Sequence, residues 1–329
     1  MINLKFETAI LIISFIISVI LGIIIIPILK KLKVGQIERD DGPESHLKKQ
    51  GTPTMGGIIM IITMALMVIG VNIYLMATGK NATASKLLPM LLLTVGFGLI
   101  GFIDDFKKLV LKNTKGLKPA YKMLGLLIIS VAYVIYLIYG LHIGTETYIP
   151  FVKQMVTMPI YVYVPFAIIV ILGTTNAINL TDGIDGLSSS VSAIIITCLT
   201  IIGVLLQMTE IGIFGSVVIG AVLGFLMFNL HPAKVFMGDT GSLLLGGVIS
   251  AMALYLKMPL LLIIIAIIPV LETLSVIIQV AYFKKTGKRI FKMAPLHHHF
   301  ELSGWKESKV VIVFSLITLV VSVIGLLSI

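Results

Sequence analysis

The residues able to do chemistry lie in a few short polar segments of an otherwise apolar chain. Asp104 and Asp105 are adjacent in Gly101-Phe-Ile-Asp-Asp-Phe-Lys-Lys108. On a helix, neighbours point ~100° apart, so the two carboxylates cannot serve one ligand face. One would act on a reacting phosphate while the other orients a metal or a lysine. Acids closing a helix also oppose its macrodipole, which disfavours a purely solvating pair. Further on, Asn176-Ala-Ile-Asn-Leu-Thr-Asp-Gly-Ile-Asp-Gly186 spaces Asn176 from Asn179, and Asp182 from Asp185, by three residues. Gly183 and Gly186 permit tight turns between them. Amide and carboxylate oxygens in that pattern suit either a magnesium ion or the ribose and base of a nucleotide.

Phe236-Met-Gly-Asp-Thr-Gly-Ser242 opens an apolar run. Thr240 or Ser242 is placed to cap a helix, and the glycines let backbone N–H groups approach an anion. Asp239 would repel phosphate there unless a divalent cation intervened, so Mg²⁺ makes the segment coherent. Pro295-Leu-His-His-His-Phe300 carries three adjacent histidines with no cysteine beside them. That is a poor zinc site. His297, His298 and His299 are instead suited to donate to phosphate oxygens or to orient a lysine or aspartate. Lys48 and Lys49 precede the glycine-rich Gly51-Thr-Pro-Thr-Met-Gly-Gly57. They would hold a pyrophosphate or form a basic membrane flank.

The elements that position these segments are read from composition. Hydrophobic residues make up 58% of the 329 and charged residues 12%, with mean hydropathy +1.10. A soluble domain cannot hide that much apolar surface. A spanning helix needs ~20 mostly apolar residues. Ten candidates follow: 9–29, 56–77, 87–103, 121–140, 163–178, 188–207, 212–229, 241–256, 259–283 and 309–328. Pro269 and Glu272 predict a kink or break in the ninth. Of the 25 Lys and Arg, 20 fall on one side of this alternation and 5 on the other. The rich side is cytoplasmic by the positive-inside rule, which puts both termini outside. Thr145–Val152 and Thr157–Val164 predict a small outward β-hairpin, with its turn at Lys153-Gln-Met155. The expected fold is therefore an all-α polytopic membrane protein, one catalytic domain over residues 1–329, with no internal repeat to suggest a transporter.

The net charge of +10 sits in short loops between spans, so it speaks for topology and anionic headgroups, and nucleic acid is not an expected partner. The single cysteine, Cys198, lies in an apolar run and excludes a disulfide framework. All seven aspartates and five of the six histidines fall at the cytoplasmic ends. Acids gathered there, rather than at midplane, point to a site that meets soluble nucleotide substrates.

In their order and on one face, Phe102-Ile-Asp-Asp105, the Asn176–Gly186 segment, Phe236–Ser242 and Pro295–Phe300 resemble the phospho-N-acetylmuramoyl-pentapeptide transferases of peptidoglycan synthesis. That family belongs to the polyprenyl-phosphate N-acetylhexosamine-1-phosphate transferases. The likeness runs from about Gly51 to Phe300. It implies a Mg²⁺-dependent reaction of UDP-MurNAc-pentapeptide with undecaprenyl phosphate in the bacterial inner membrane, giving lipid I and UMP. It also implies that Asp104, Asp105 and Asp239 form an acidic triad and that His298 acts with it. Asp239 and Asn179 would hold the metal, and Phe236 would stack on uracil. Asn176, Asp182 and Asp185 would line the nucleoside and sugar site, and Lys49, Lys122, His297 and His299 would hold phosphates. A homodimer is implied by resemblance alone. The His-His-His form favours the muramoyl donor over UDP-GlcNAc, the competing donor of related enzymes. A phosphate monoester is already an anionic nucleophile near neutral pH, which favours direct attack with Asp104 taking or orienting its last proton.

Overall fold

A computed structural model describes residues 4–32, 51–111 and 116–329 of the chain. Lys49, with Asp40, Asp41 and His46, lies outside them. The described residues fold as α1 (Leu4–Lys31), α2 (Gly57–Ala77), α3 (Asn81–Leu109), α4 (Pro119–Ile135), β1 (Glu146–Ile149), β2 (Gln154–Thr157), α5 (Ile160–Thr181), α6 (Leu187–Leu205), α7 (Thr209–Asn229), α8 (Gly238–Tyr255), α9 (Leu262–Ile265), α10 (Ile267–Thr286), α11 (Leu296–Glu301) and α12 (Glu307–Leu327).

Among the described residues, nine helices are long and apolar enough to cross a membrane. The chain is a multi-pass membrane protein. The candidate span missing from these nine, the eighth (241–256), is present as α8, but only 18 residues long and with Asp239 and Ser242 in its first turns. α8 is an interior helix: every residue from Thr240 to Tyr255 is buried. α1 and α12, by contrast, turn Ile13, Ile20, Ile24, Leu316 and Val320 outwards, as lipid-facing surfaces do.

Small residues let the helices close around α8. A Cβ on Gly57 would meet the Gly241 backbone, one on Gly101 the Asp239 carbonyl, and one on Gly246 the Thr175 backbone. At the next layer, Ser14 and Ser18 of α1 donate to the carbonyls of Val217 (2.6 Å) and Ala221 (2.8 Å) on α7. Gly220 and Gly224 make room for that approach. Tight backbone contact and hydrogen bonds of this kind drive helix association where lipid offers no hydrophobic contrast.

Three boundaries differ from the sequence reading. α3 continues past residue 103 through both aspartates to Leu109, because their carboxylates are bound by protein partners and need no solvent. The ninth candidate breaks at Ala266, ahead of Pro269, which sits in the first turn of α10 where its missing N–H costs nothing. Glu272 lies inside α10 and is fully buried. The hairpin is present, but its strands pair Glu146 with Thr157 and Ile149 with Gln154. Its turn is therefore Pro150–Lys153, with Phe151 and Lys153 at positive φ, and α5 begins at Ile160 within the expected second strand.

The hairpin meets the chain's C-terminus: the Phe151 N–H donates to the Ser328 carbonyl at 3.0 Å. At this same end, Glu210 of α7 accepts from Lys86 (3.0 Å) and Tyr255 (2.7 Å), tying α3, α7 and α8 together. The aspartates and histidines described below occupy the opposite ends of these helices.

Candidate active site

Helix α3 delivers Asp104 and Asp105 in opposite directions, as adjacent helical positions must. Asp104, 3% exposed, faces α4 and α8. Its Oδ1 accepts the Leu117 N–H at 2.7 Å, and its Oδ2 accepts from Lys108 at 2.8 Å and Lys122 at 3.4 Å. Lys108 is one helical turn along from Asp104, and Lys122 comes from the first turns of α4. Both ammonium groups also reach Asp239 Oδ2, Lys122 at 2.6 Å and Lys108 at 3.4 Å. Asp239 Oδ1 accepts from the Asn179 amide at 2.8 Å, which also donates to Ser242 Oγ at 2.8 Å. Two carboxylates, two lysines and one amide thus converge from α3, α4, α5 and α8.

Asp105 turns the other way and caps α8 from outside it. Its Oδ2 accepts the Thr240 N–H (2.9 Å) and hydroxyl (2.6 Å), and its Oδ1 accepts the Asp239 N–H (3.3 Å). These are first-turn donors with no intrahelical partner, and a carboxylate there also complements the helix dipole. The cap expected from Thr240 or Ser242 is not made: Thr240 donates to Asp105, and Ser242 donates back to the Gly238 carbonyl at 3.0 Å. Gly238 has φ +69°, and a Cβ there would meet Asp105 Oδ2 at 2.6 Å.

The α5–α6 turn holds Asp182 and Asp185. Burial, then the neighbouring carboxylates of Asp239, Asp105 and Asp185, push the Asp182 carboxyl well above the usual carboxylate range. Asp185 is buried and accepts the Ala233 N–H at 3.0 Å, with His231 Nδ1 3.1 Å from the same oxygen. Glu307, at the start of α12, accepts the Asp185 N–H at 2.6 Å and lies 3.3 Å from His231 Nδ1. Asp185, His231 and Glu307 bring three ligand-type atoms within 4.8 Å of one another. The carboxylates of Asp185 and Glu307 already hold the turn, the 231–233 loop and α12 in register.

The remaining expected residues are spread around this centre. Asn176 donates to the Leu172 carbonyl of its own helix at 2.7 Å. Phe236 is half-buried, its N–H bonded to the Pro53 carbonyl at 2.8 Å and its carbonyl to the Gly56 N–H at 2.9 Å. His298 Nδ1 is 3.1 Å from Glu301, and His299 Nδ1 accepts the Lys292 N–H at 3.1 Å. His297 is buried against Glu272 of α10. Sequence reasoning did not place Lys108, His231 or Glu307. Lys108 carried a signal, since it stands at i+4 from Asp104. Glu307 carried none, being 122 positions from its partner Asp185.

Hard oxygen donors set among lysines are the equipment for handling a pyrophosphate. The donors themselves suit a divalent cation: the oxygens of Asp239, Asn179 and Asp182 are of the type Mg²⁺ takes. The like-charge crowding that adds to burial in raising Asp182 is what such a cation relieves.

Residues 87–257, which carry every member of the carboxylate–lysine cluster, match the family model of glycosyl transferase family 4. Over the full length, the chain is 48% identical to the phospho-N-acetylmuramoyl-pentapeptide-transferase of Acetivibrio thermocellus, covering 98% of this chain and 95% of that one. It is 51% identical to the enzyme of the same name from Clostridium perfringens strain 13, covering 97% of each. With one from Clostridium botulinum strain Alaska E43 it shares 49% identity over 97% of this chain and 95% of the relative. Matched almost end to end by these proteins, with the cluster inside the matched region, the chain belongs to the phospho-N-acetylmuramoyl-pentapeptide-transferase family.

Proposed function

We propose that this enzyme transfers phospho-MurNAc-pentapeptide from UDP-MurNAc-pentapeptide to undecaprenyl phosphate, forming lipid I and UMP. The observation that carries the reading is the meeting of Asp104, Asp239, Asn179, Lys108 and Lys122 at one end of the helix bundle. In the reaction a carrier phosphate oxygen attacks the sugar-linked phosphorus of the donor. The bond to the bridging oxygen breaks, and UMP leaves with that oxygen and its electron pair.

Lys108 and Lys122 would exchange their carboxylate contacts for pyrophosphate oxygens and neutralise charge developing there. Asp104, freed of its lysines, would orient the carrier phosphate and accept its last proton. Asp105 keeps Asp239 in place by capping α8. Mg²⁺, held by Asp239 and Asn179 with Asp182 close by, would act as a Lewis acid on the pyrophosphate. Phe236 would stack on uracil, with Asn176, Asp182 and Asp185 around the nucleoside and sugar. Lys49, His298 and His299 would contact phosphates.

The proposed setting is the bacterial inner membrane. One catalytic domain crosses it ten times, α8 included, with both termini outside and the site on the cytoplasmic face. A homodimer fits the family likeness.

The test is a transfer assay with labelled UDP-MurNAc-pentapeptide, undecaprenyl phosphate and Mg²⁺, run on purified wild type and Asp239→Ala. Labelled lipid that requires Mg²⁺ and falls at least ~100-fold in the variant is expected. Folded wild type that labels no lipid from this donor, yet does so from UDP-GlcNAc, would overturn the donor assignment.

A further inference from the structure

Glu272 is the one carboxylate inside α10 and is 0% exposed, although α10 contributes nothing to the carboxylate–lysine cluster. A buried acid in a spanning helix is costly and calls for a partner. Its partner is His297, the first of the three adjacent histidines, itself 1% exposed. Glu272 Oε1 accepts the His297 N–H at 3.2 Å, and Oε2 lies 3.2 Å from His297 Nδ1, close but poorly aligned for a hydrogen bond. The far side of the ring rests on the α5–α6 turn: a Cβ on Gly183 would run into His297 Nε2. Unlike Gly186, at φ +75°, Gly183 is not at positive φ. The turn therefore needs glycine at 183 for the closeness of His297, and the tight-turn reading holds for Gly186 alone.

A continuous line of contact thus runs from α10 through Glu272 and His297 to Gly183, between Asp182 and Asp185. We infer that the buried Glu272–His297 pair is the positioning device that sets the Asp182–Asp185 turn at its working distance from the nucleotide donor. His297 acts through the turn and does not touch phosphate. The inference rests on the proposed transfer reaction and deepens it, because it separates donor binding from carrier binding. The turn would hold the nucleoside and sugar of the donor, whereas Asp104, proposed to orient the carrier phosphate, takes its hydrogen bonds from Lys108, Leu117 and Lys122 and none from the Glu272–His297 pair.

The experiment is steady-state kinetics of the full-length enzyme with Glu272→Leu, Glu272→Gln and Gly183→Ala, each checked for thermal unfolding in detergent. Glu272→Leu should raise KM for the uridine-nucleotide donor about tenfold or more, with KM for polyprenyl phosphate changed less than about twofold. Glu272→Gln keeps an oxygen for the His297 N–H and should stay within about threefold of wild type. Gly183→Ala should copy Glu272→Leu, and the two together should do less than the product of their effects. Glu272→Leu leaves the buried His297 N–H without its acceptor, so it should unfold earlier than wild type, and its kinetics are read below its own unfolding temperature. If it fails to fold, Gly183→Ala carries the same donor-specific prediction. Equal rises in both KM values, a fall in kcat alone, unchanged kinetics, or Glu272→Gln as damaged as Glu272→Leu would overturn the inference. Wild type that does not transfer to polyprenyl phosphate would instead defeat the proposed reaction, independently of these variants.

Discussion

Asp105 and Asp104 show how one helical step separates two jobs. Asp105 spends both oxygens on the first turn of α8, whereas Asp104 meets lysines. Removing Asp105 leaves the buried donors of Thr240 unpaired, so Asp105→Ala should cost about 1–2 kcal/mol of stability and lower activity by loosening Asp239. Thermal unfolding alongside the transfer assay checks this, and full activity in a destabilised variant would refute the link to Asp239. Lys108 and Lys122 share the same two oxygens, one on Asp104 and one on Asp239. A double-mutant cycle of Lys108→Met and Lys122→Met should therefore show a coupling of about 0.5–3 kcal/mol in transition-state stabilisation. Strict additivity would mean that they act separately.

Glycine-lined contacts set the approach of α3 to α8, and Asp104, Asp105 and Asp239 are carried on that contact. Gly101→Ala would drive a Cβ into the Asp239 carbonyl. The two helices must part by about an ångström, at about 3 kcal/mol or more. The expected result is a lower unfolding temperature together with a loss of transfer at saturating substrate. Unchanged values for both would mean that the contact is slack. At the other end of the bundle, Lys257 donates to Glu146 at 2.6 Å, and this hydrogen bond and charge hold the Glu146 carboxyl below its usual range. A depressed carboxylate contributes stability above its unfolded pKa, and the contribution is lost as pH falls through the folded value. The unfolding temperature of wild type relative to Lys257→Met should therefore hold from neutrality down to about pH 4.5 and shrink below it. Salt should shrink it too, because the pair is partly exposed.

At the scale of the molecule, the start of α1 and the end of α12 lie at one end of the bundle and the carboxylate–lysine cluster at the other. Proposed orientation then becomes a labelling result. In a Cys198→Ser background, Lys153→Cys on the hairpin should react with an impermeant thiol reagent in intact cells. Lys285→Cys, in the exposed last turn of α10, should react only after permeabilisation. The reverse pattern would turn the protein over in the membrane and place the cluster away from soluble nucleotides.

Apolar runs of spanning length and the one-sided placement of Lys, Arg, Asp and His were legible from the chain because a bilayer allows few solutions. Such runs located the helices, nine of them long and apolar enough to span among the described residues, and showed which helix ends gather the aspartates and histidines. Motif residue types also announced Asp104, Asp239 and Asn179 as site candidates. Partner choice was a matter for the tertiary structure. Asp105 caps a helix that begins more than a hundred residues later, Glu307 holds a turn across 122 positions, and Glu272, read from sequence as a kink, supports His297. Local pattern specifies which way a side chain faces on its own helix, and it carries no information on what stands opposite. That is decided by where glycines let backbones touch, and it settled which of two neighbouring carboxylates would meet the lysines.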